Sequence, residues 1–137
     1  MVAKAGLLMA LVAGAGVALA GIAGAEEVPV ETSMLGASAI TLHLHPFLTE
    51  EELTTLRLVM TNEQALSLFV PGKAGFAALA MSPDDGFIRA GAPMGSAIAV
   101  GDLPDAEAAR TAALTACEGA KQGAAPCVTV LEIAPAP

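Results

Sequence analysis

The chain has 137 residues, a length that fits one ordinary domain, and its formal net charge at pH 7 is −8. Such an acidic chain repels nucleic-acid phosphates and anionic lipid headgroups, and a chain without Trp or Tyr offers few side chains on which bases could stack. These properties exclude nucleic-acid binding and leave a protein or a small molecule as the expected partner.

Residues 1–25 have the three parts of a secretory signal peptide in the required order. Lys4 is the only charge before Glu26, an apolar stretch rich in Ala, Gly and Leu follows it, and Ala23-Gly24-Ala25 is a small-x-small cleavage motif. We expect cleavage after Ala25, with Ala18-Leu19-Ala20 as a second candidate site. The stretch is long enough for an uncleaved membrane anchor, but its Gly and Ala content favours cleavage, which changes the net charge from −8 to −9.

The mature part begins with residues 26–38, which mix charge, Pro and Gly without a period and predict a lead-in segment. Residues 40–45 then alternate between apolar and polar side chains, the period of a half-buried strand. Pro46 ends this strand, because proline cannot donate to a sheet ladder.

Two helix-start patterns follow the first strand. Thr49 and Glu52 form a capping box, in which each side chain can bond a backbone amide of the other residue. The same pattern recurs at Thr61-Asn-Glu-Gln64. We therefore predict two short helices, at about residues 50–60 and 62–69, or one helix with a kink.

The next segment predicts a hairpin. Residues 76–81 are apolar at every position, which indicates a strand covered on both faces. Residues 82–86, Ser-Pro-Asp-Asp-Gly, predict a turn, because Pro83 presets its first dihedral angle and its glycine can take a positive φ. Residues 87–90 predict the return strand, and residues 97–100 an edge segment after a bulge or bend.

The last helix is predicted to begin within Asp102-Leu-Pro-Asp105, where acidic side chains favour the positive end of the helix dipole. Small residues recur on one face of it and would let the helix lie close to a sheet: Ala106, Ala109, Ala113, Cys117 and Ala120. Residues 127–133 predict the last strand, and residues 135–137 a short extended tail.

The predicted element order is β-α-β-β-α-β. This order favours a split βαβ arrangement in one small α+β domain, residues 39–134, with a mainly antiparallel sheet and the helices on one face.

Cys117 and Cys127 are the only cysteines, and an exported protein meets oxidising conditions. We expect a structural disulfide between them. A metal clip and a redox pair are the alternatives, although both kinds of chemistry prefer a shorter C-x2-C spacing.

Three stretches of the chain resemble a family of small secreted bacterial proteins of unknown function. They are Gly75 to Gly86, Ala106 to Cys117 and Pro126 to Val130. Some alphaproteobacterial members are labelled 5-aminolevulinic acid synthase. The resemblance implies the fold, the cysteine pair and export, and the label implies a pyridoxal phosphate enzyme, which needs a Schiff-base lysine. The mature chain has only Lys73 and Lys121 for that role, so the synthase activity is disfavoured and no cofactor is expected.

His43 and His45 are the one pair with metal-ligand chemistry. On a strand both imidazoles project from one face, and nearby acids or methionines could complete a zinc or copper site. The alternative is two partly exposed histidines on a solvated strand.

Nucleophilic and nucleotide-binding patterns are not supported. Ser38 lacks the glycine two residues later that a nucleophile elbow requires, because Ile40 stands there. Gly14-x-Gly16 lies in the signal peptide, without a preceding strand. The acidic run of residues 50–52 is a favourable helix start. The sequence therefore predicts a periplasmic or secreted module with a non-catalytic binding or structural role, and metal binding by the histidine pair is the alternative.

The cysteine pair gives the first testable prediction. Replacing Cys117→Ala together with Cys127→Ala should lower the free energy of unfolding by about 3 kcal/mol, because the bridge closes a short loop of the unfolded chain. Urea titrations of both proteins measure the difference. Two reactive thiols in the unreduced wild-type protein would contradict the disulfide.

Overall fold

The structure, a computed structural model, describes residues 28–72 and 74–137. The predicted signal peptide, including the cleavage-site residues Ala23, Ala25 and Glu26, and Lys73 lie outside the described residues. In chain order the elements are β1 (Val30–Leu35), β2 (Ser38–His43), α1 (Glu50–Thr61), α2 (Glu63–Phe69), β3 (Phe76–Met81), β4 (Ile88–Arg89), β5 (Ala92–Pro93), β6 (Ile98–Leu103), α3 (Ala106–Ala120) and β7 (Val128–Pro135).

Five strands form one antiparallel sheet in the spatial order β1-β2-β7-β3-β6, and β4 and β5 form a separate hairpin. Because every neighbouring pair is antiparallel, β2 and β3 run in the same direction with β7 between them. Likewise β6 and β7 run in the same direction with β3 between them. Both helical connections are therefore split βαβ units, and the predicted α+β domain with an antiparallel sheet is confirmed.

Helices α1 and α2 lie on one face of this sheet and α3 lies on the other. This corrects the expectation that the helices share one face. Leu79 and Met81 of β3 pack into the core beneath α1 and α2. Ala78 and Ala80, which point the other way, pack against the buried small residues of α3. A strand with apolar side chains on both faces needs cover on both sides, and the two connections supply it.

The small-residue stripe of α3 is confirmed at Ala109, Ala113 and Cys117, which are all buried. Ala106 is half-buried, and Ala120, at the end of the helix, is exposed and does not belong to the packed face. Short side chains on the helix face alanines on β3, so the two backbones can approach closely. The cap of α3 is Asp105, whose carboxylate accepts a hydrogen bond from the amide of Ala108 at 2.8 Å.

Part of the predicted lead-in segment is strand β1. It pairs along its whole length with β2, and alternate residues are exposed. An ion pair between Glu31 and Arg57 at 2.8 Å and a hydrogen bond from Ser33 Oγ to the carbonyl of Met60 at 2.9 Å bind it to α1. Composition alone missed this strand, although its partner β2 follows after only two residues, because the segment has no clear alternation of apolar and polar side chains. Pro135, predicted as tail, is likewise the last residue of β7.

Two separate helices follow β2, which confirms the prediction of two short helices over that of one kinked helix. Asn62 breaks the helical path with φ −137° and ψ 116°, and its side-chain oxygen accepts the amide of Ala65 at 2.9 Å. The cap of α2 is thus Asn62 rather than Thr61, whose hydroxyl donates to the carbonyl of Arg57 at 3.1 Å.

The predicted return strand at residues 87–90 does not pair with β3. Ile88–Arg89 instead pairs with Ala92–Pro93 across a turn in which Ala90 and Gly91 have φ of 53° and 77°. Positive φ at both central residues is the signature of a type I′ hairpin turn. The partner of β3 at that edge of the sheet is β6.

The buried carboxylate of Glu52 explains why this hairpin leaves the sheet. Its Oε2 atom accepts the amides of Phe87 at 2.8 Å and Ile88 at 2.9 Å and pairs with Arg89 Nη1 at 2.8 Å. Its Oε1 atom accepts the amide of Thr49 at 3.0 Å, which completes the predicted capping box. The start of β4 is therefore bound to the first turn of α1.

These donors also decide the charge of Glu52. Burial by itself raises the pKa of this carboxyl, but the amides of Ile88, Thr49 and Phe87 and the guanidinium of Arg89 outweigh it and hold the pKa below its ordinary value of 4.5. The carboxylate is consequently ionised at neutral pH although its side chain is fully buried.

The predicted turn before β4 is confirmed and is a second polar anchor. Asp85 accepts hydrogen bonds from Ser96 Oγ and from the amide of Gln122, both at 2.9 Å. Asp84 accepts the amide of Ala125 at 3.0 Å. Through these bonds the turn holds both the segment that leads into β6 and the loop between α3 and β7.

Replacing Glu52→Gln tests the first anchor. The amide NH2 of glutamine cannot accept the bonds that Oε2 accepts, so we expect a loss of about 3 kcal/mol in the free energy of unfolding at pH 7. Because the folded pKa lies below 4.5, this stabilisation is present above that pH and is lost as the pH falls through the folded pKa.

Urea titrations from pH 3 to 7 therefore should show a difference between wild type and variant that shrinks as the pH falls. Glu51→Gln, an exposed neighbour on the same helix turn, is the matched control and should change stability by less than about 0.5 kcal/mol. Equal effects of the two substitutions would contradict the role of Glu52.

Candidate functional site

His43 ends β2 beside a carboxylate of the neighbouring strand. The register of β2 and β7 places Thr41 opposite Glu132, so that His43, two residues further along, lies on the same face as Glu132. His43 Nε2 is 2.8 Å from Glu132 Oε2, and both side chains are about one quarter exposed, at 25% and 24%. The sheet thus brings together two residues that are 89 positions apart in the chain.

Helix α3 supplies a third member of this group. Arg110 Nη1 is 3.0 Å from Glu132 Oε1, so each carboxylate oxygen of Glu132 has one partner. The hydrogen bond from His43 holds the pKa of Glu132 below its ordinary value of 4.5, against the effect of burial and together with the guanidinium of Arg110. Glu132 is therefore an ionised carboxylate in a strand that contains no other charged residue.

His45 lies beside this group, but it follows the end of β2 rather than lying on the strand as predicted, and it makes different bonds. Its Nε2 atom is 2.9 Å from the carbonyl oxygen of Thr129, and its ring stacks on Phe47 with a centroid distance of 5.5 Å. The ring centroids of His43 and His45 are 6.1 Å apart. The structure therefore brings the two predicted metal ligands together on one surface.

The hydrogen bonds restrict how these histidines could bind a metal ion. A carbonyl oxygen and an ionised carboxylate only accept, so the Nε2 atoms of both His45 and His43 carry hydrogen and their Nδ1 atoms remain as the available ligands. In residues 28–72 and 74–137 no group of three or more His, Cys, Asp or Glu side chains is arranged to hold a metal ion. A metal at this surface would be bound by the two imidazoles.

Cys117 and Cys127 form the predicted disulfide, with their Cα atoms 6.2 Å apart. The corner that it closes is also fastened by Glu118, whose Oε2 accepts the amide of Cys127 at 2.7 Å and whose Oε1 pairs with Lys121 Nζ at 2.8 Å. Lys121 also donates to the carbonyl of Ala125 at 3.1 Å. The ammonium of Lys121, one of the two lysines after residue 25, therefore has a structural role in this corner.

Two cavities of about 400 Å³ each open on the face that carries α1 and α2. The first, between α2 and the ends of β1, β2 and β7, has a mixed lining that includes Ser38, Glu63, Ser67 and Asp102. Ser38, which lacks the pattern of a nucleophile elbow, thus lines this cavity.

The second cavity, named here the apolar groove, lies between α2, the β4–β5 hairpin and β6. Apolar side chains form most of its walls: Leu68, Phe69, Phe87, Met94, Ala97 and Ala99. Among its described lining residues the only charged one is Glu51. Leu68 at its mouth is 81% exposed, more than any other large apolar side chain in the described part of the chain.

Sequence reasoning found the histidines and cysteines but missed Glu132, Arg110 and the apolar groove. One signal for Glu132 was present, since it is the only charged residue in the strand Val128–Pro135. A lone charge in an apolar strand needs a partner, but the identity of that partner depends on the sheet order. The walls of the groove come from three separate segments and have no common sequence pattern.

Comparison with known proteins finds no family, no curated protein and no solved structure that matches this chain. Within the described ranges, none of the helices has the length and apolar character required to cross a membrane.

Proposed function

We propose that the protein is exported and acts in the periplasm or outside the cell as a small acidic, disulfide-stapled module with a non-catalytic binding role. The observation that carries this proposal is the Cys117–Cys127 disulfide, whose two cysteines are only 0% and 8% exposed. Disulfides persist in oxidising compartments and are rare in the cytosol, where thiols are kept reduced. The signal-peptide pattern of residues 1–25 supports the same destination.

The binding role is supported by the apolar groove. Ligand sites are concave and mostly apolar with a few polar groups, and exposed apolar surface of this kind favours contact with a partner. The groove has apolar walls, one carboxylate from Glu51 and a volume of about 400 Å³. Its rim is shaped by the hairpin that Glu52 holds in place.

Expression of the full chain in a bacterial host tests the proposal. We expect the protein in the periplasm or the medium, with Glu26 as its first residue by intact mass and no thiol that reacts before reduction. Ala23→Arg with Ala25→Arg should prevent cleavage at this site, because signal peptidase requires small residues there. A cytoplasmic wild-type protein that retains Met1 and has two free thiols would overturn the proposal.

A second candidate function is zinc or copper binding by His43 and His45. The observation that favours it is the closeness of the two rings, at 6.1 Å between centroids, with the carboxylate of Glu132 bound to His43. A carboxylate that accepts a hydrogen bond from a ligating imidazole orients the ring and raises its basicity.

Thermal unfolding with and without added zinc or copper measures this binding. If the pair is a site, the metal raises the melting temperature by several degrees, and His43→Ala with His45→Ala abolishes the rise. Glu132→Gln should reduce it, because the supporting hydrogen bond is weakened. An equal rise in the double variant would assign the metal to other residues and rule this function out.

A further inference from the structure

Strand β6 is an open edge of the sheet. It pairs with β3 on one side and, within residues 28–72 and 74–137, with no strand on the other. In the described part of the chain no backbone hydrogen bond from a loop ends on Ile98, Ala99 or Val100. Edge strands are commonly protected by charged side chains, by proline or by a covering segment. The stretch from Ser96 to Gly101 contains neither a charged residue nor a proline. The one charged residue of β6 is Asp102 near its end, whose carboxylate accepts the amide of Ala74 at 3.1 Å.

Apolar surface adjoins this edge on both faces of the sheet. Ala97 and Ala99 form one wall of the apolar groove, together with the aromatic side chains of Phe69 in α2 and of Phe87 just before β4. Ile98 and Val100 point to the other face and pack beside the alanine cluster of α3. A strand added along β6 would therefore meet apolar surface on both faces of the sheet, whichever way its side chains point.

In the part of the chain that the structure describes, the exposed charges around the edge are acidic. Glu51 lies on the groove wall, and Asp105 and Glu107 are exposed at the start of α3, just beyond the end of β6. Arg89, the cation of the neighbouring hairpin, is paired with the buried Glu52. A second copy of this chain would bring the same acidic surface against itself, whereas a basic partner would be attracted.

We propose that β6 accepts an extended segment of another protein as a sixth strand. The segment is apolar over about four consecutive residues and is flanked by lysine or arginine, and alternate side chains enter the apolar groove. Main-chain hydrogen bonds to the open edge provide affinity, and the groove and the acidic rim provide selectivity. This inference deepens the binding role proposed above and rests on it.

The probes are three fluorescently labelled peptides, used with protein purified with its disulfide intact. The first has four central Val and Ile residues flanked on each side by two lysines. The second has glutamate in place of every lysine, and the third has proline at two of the central positions. Fluorescence anisotropy measures the affinities, and hydrogen–deuterium exchange locates the protected amides.

We expect the lysine peptide to bind at least about tenfold more tightly than the glutamate peptide and to lose affinity as salt is raised. The proline peptide should not bind, because it cannot form a continuous ladder. Bound peptide should slow exchange within residues 97–101 and leave β1, the other edge, unchanged.

Ala99→Lys places a charge on the groove wall beside the edge and should lower the affinity for the lysine peptide by about tenfold. Thr32→Lys on the exposed face of β1 is the matched control and should have no effect. Leu68→Ser, at an exposed position on the groove rim, should weaken binding without a risk to folding and is informative if the Ala99 variant does not fold.

Equal affinity for the lysine and glutamate peptides, protection of β1, or no binding would overturn the proposal. Protection of β6 without peptide in a protein that dimerises would also overturn it, because the occupant would then be a second copy. The peptide assay does not depend on targeting, so its failure with a cleaved, exported protein removes this docking site and leaves the export proposal standing.

Discussion

The hydrogen bonds and the ion pair of the buried Glu52 carboxylate join the start of helix α1 to the β4–β5 hairpin, and the arrangement of this side of the fold depends on them. A charge in the interior is costly unless it is paired and hydrogen-bonded, and here two backbone amides, the amide of its own cap and one guanidinium satisfy it. The amides belong to Phe87 and Ile88, so the start of α1 and the base of the β4–β5 hairpin are held together. This bond turns the chain away from β3 after residue 86 and thereby creates the apolar groove.

A second set of bonds lies at the same end of β3, where the turn after this strand contacts the loop between α3 and β7. Asp84 and Asp85 hold the loop between α3 and β7, which the disulfide and Glu118 also close. Because β7 lies between β2 and β3, fastening this loop positions the central strand of the sheet. The polar turn and the disulfide act together, since one orders the loop through hydrogen bonds and the other limits the freedom of the unfolded chain.

Much of the fold was predictable, and the candidate site was predictable only in part. Capping residues such as Thr49 and the strand alternation around Ile40 are local signals, so the helices and most strands were placed correctly. Strand β1 was missed because its residues mix charge and apolar character without a clear period, although it pairs with the adjacent β2. The separate hairpin was missed because its position depends on Glu52, which is distant in the chain. The histidine pair and the disulfide could be proposed from residue type and spacing. Glu132 and Arg110 could not be joined to His43 without the register of β2 and β7.

What the sequence by itself determined is local: the signal-peptide pattern, the α+β alternation, the cysteine pair and the small-residue face of α3. Backbone propensity, capping and periodicity act over a few residues, and the chain displays them directly. Only the tertiary structure decided that the helices cover opposite faces, that Glu132 lies between His43 and Arg110, and that β6 is an open edge beside an apolar groove. Strand order and the choice of face depend on contacts between distant segments, and the apolar character of β3 on both sides was compatible with more than one arrangement until those contacts formed.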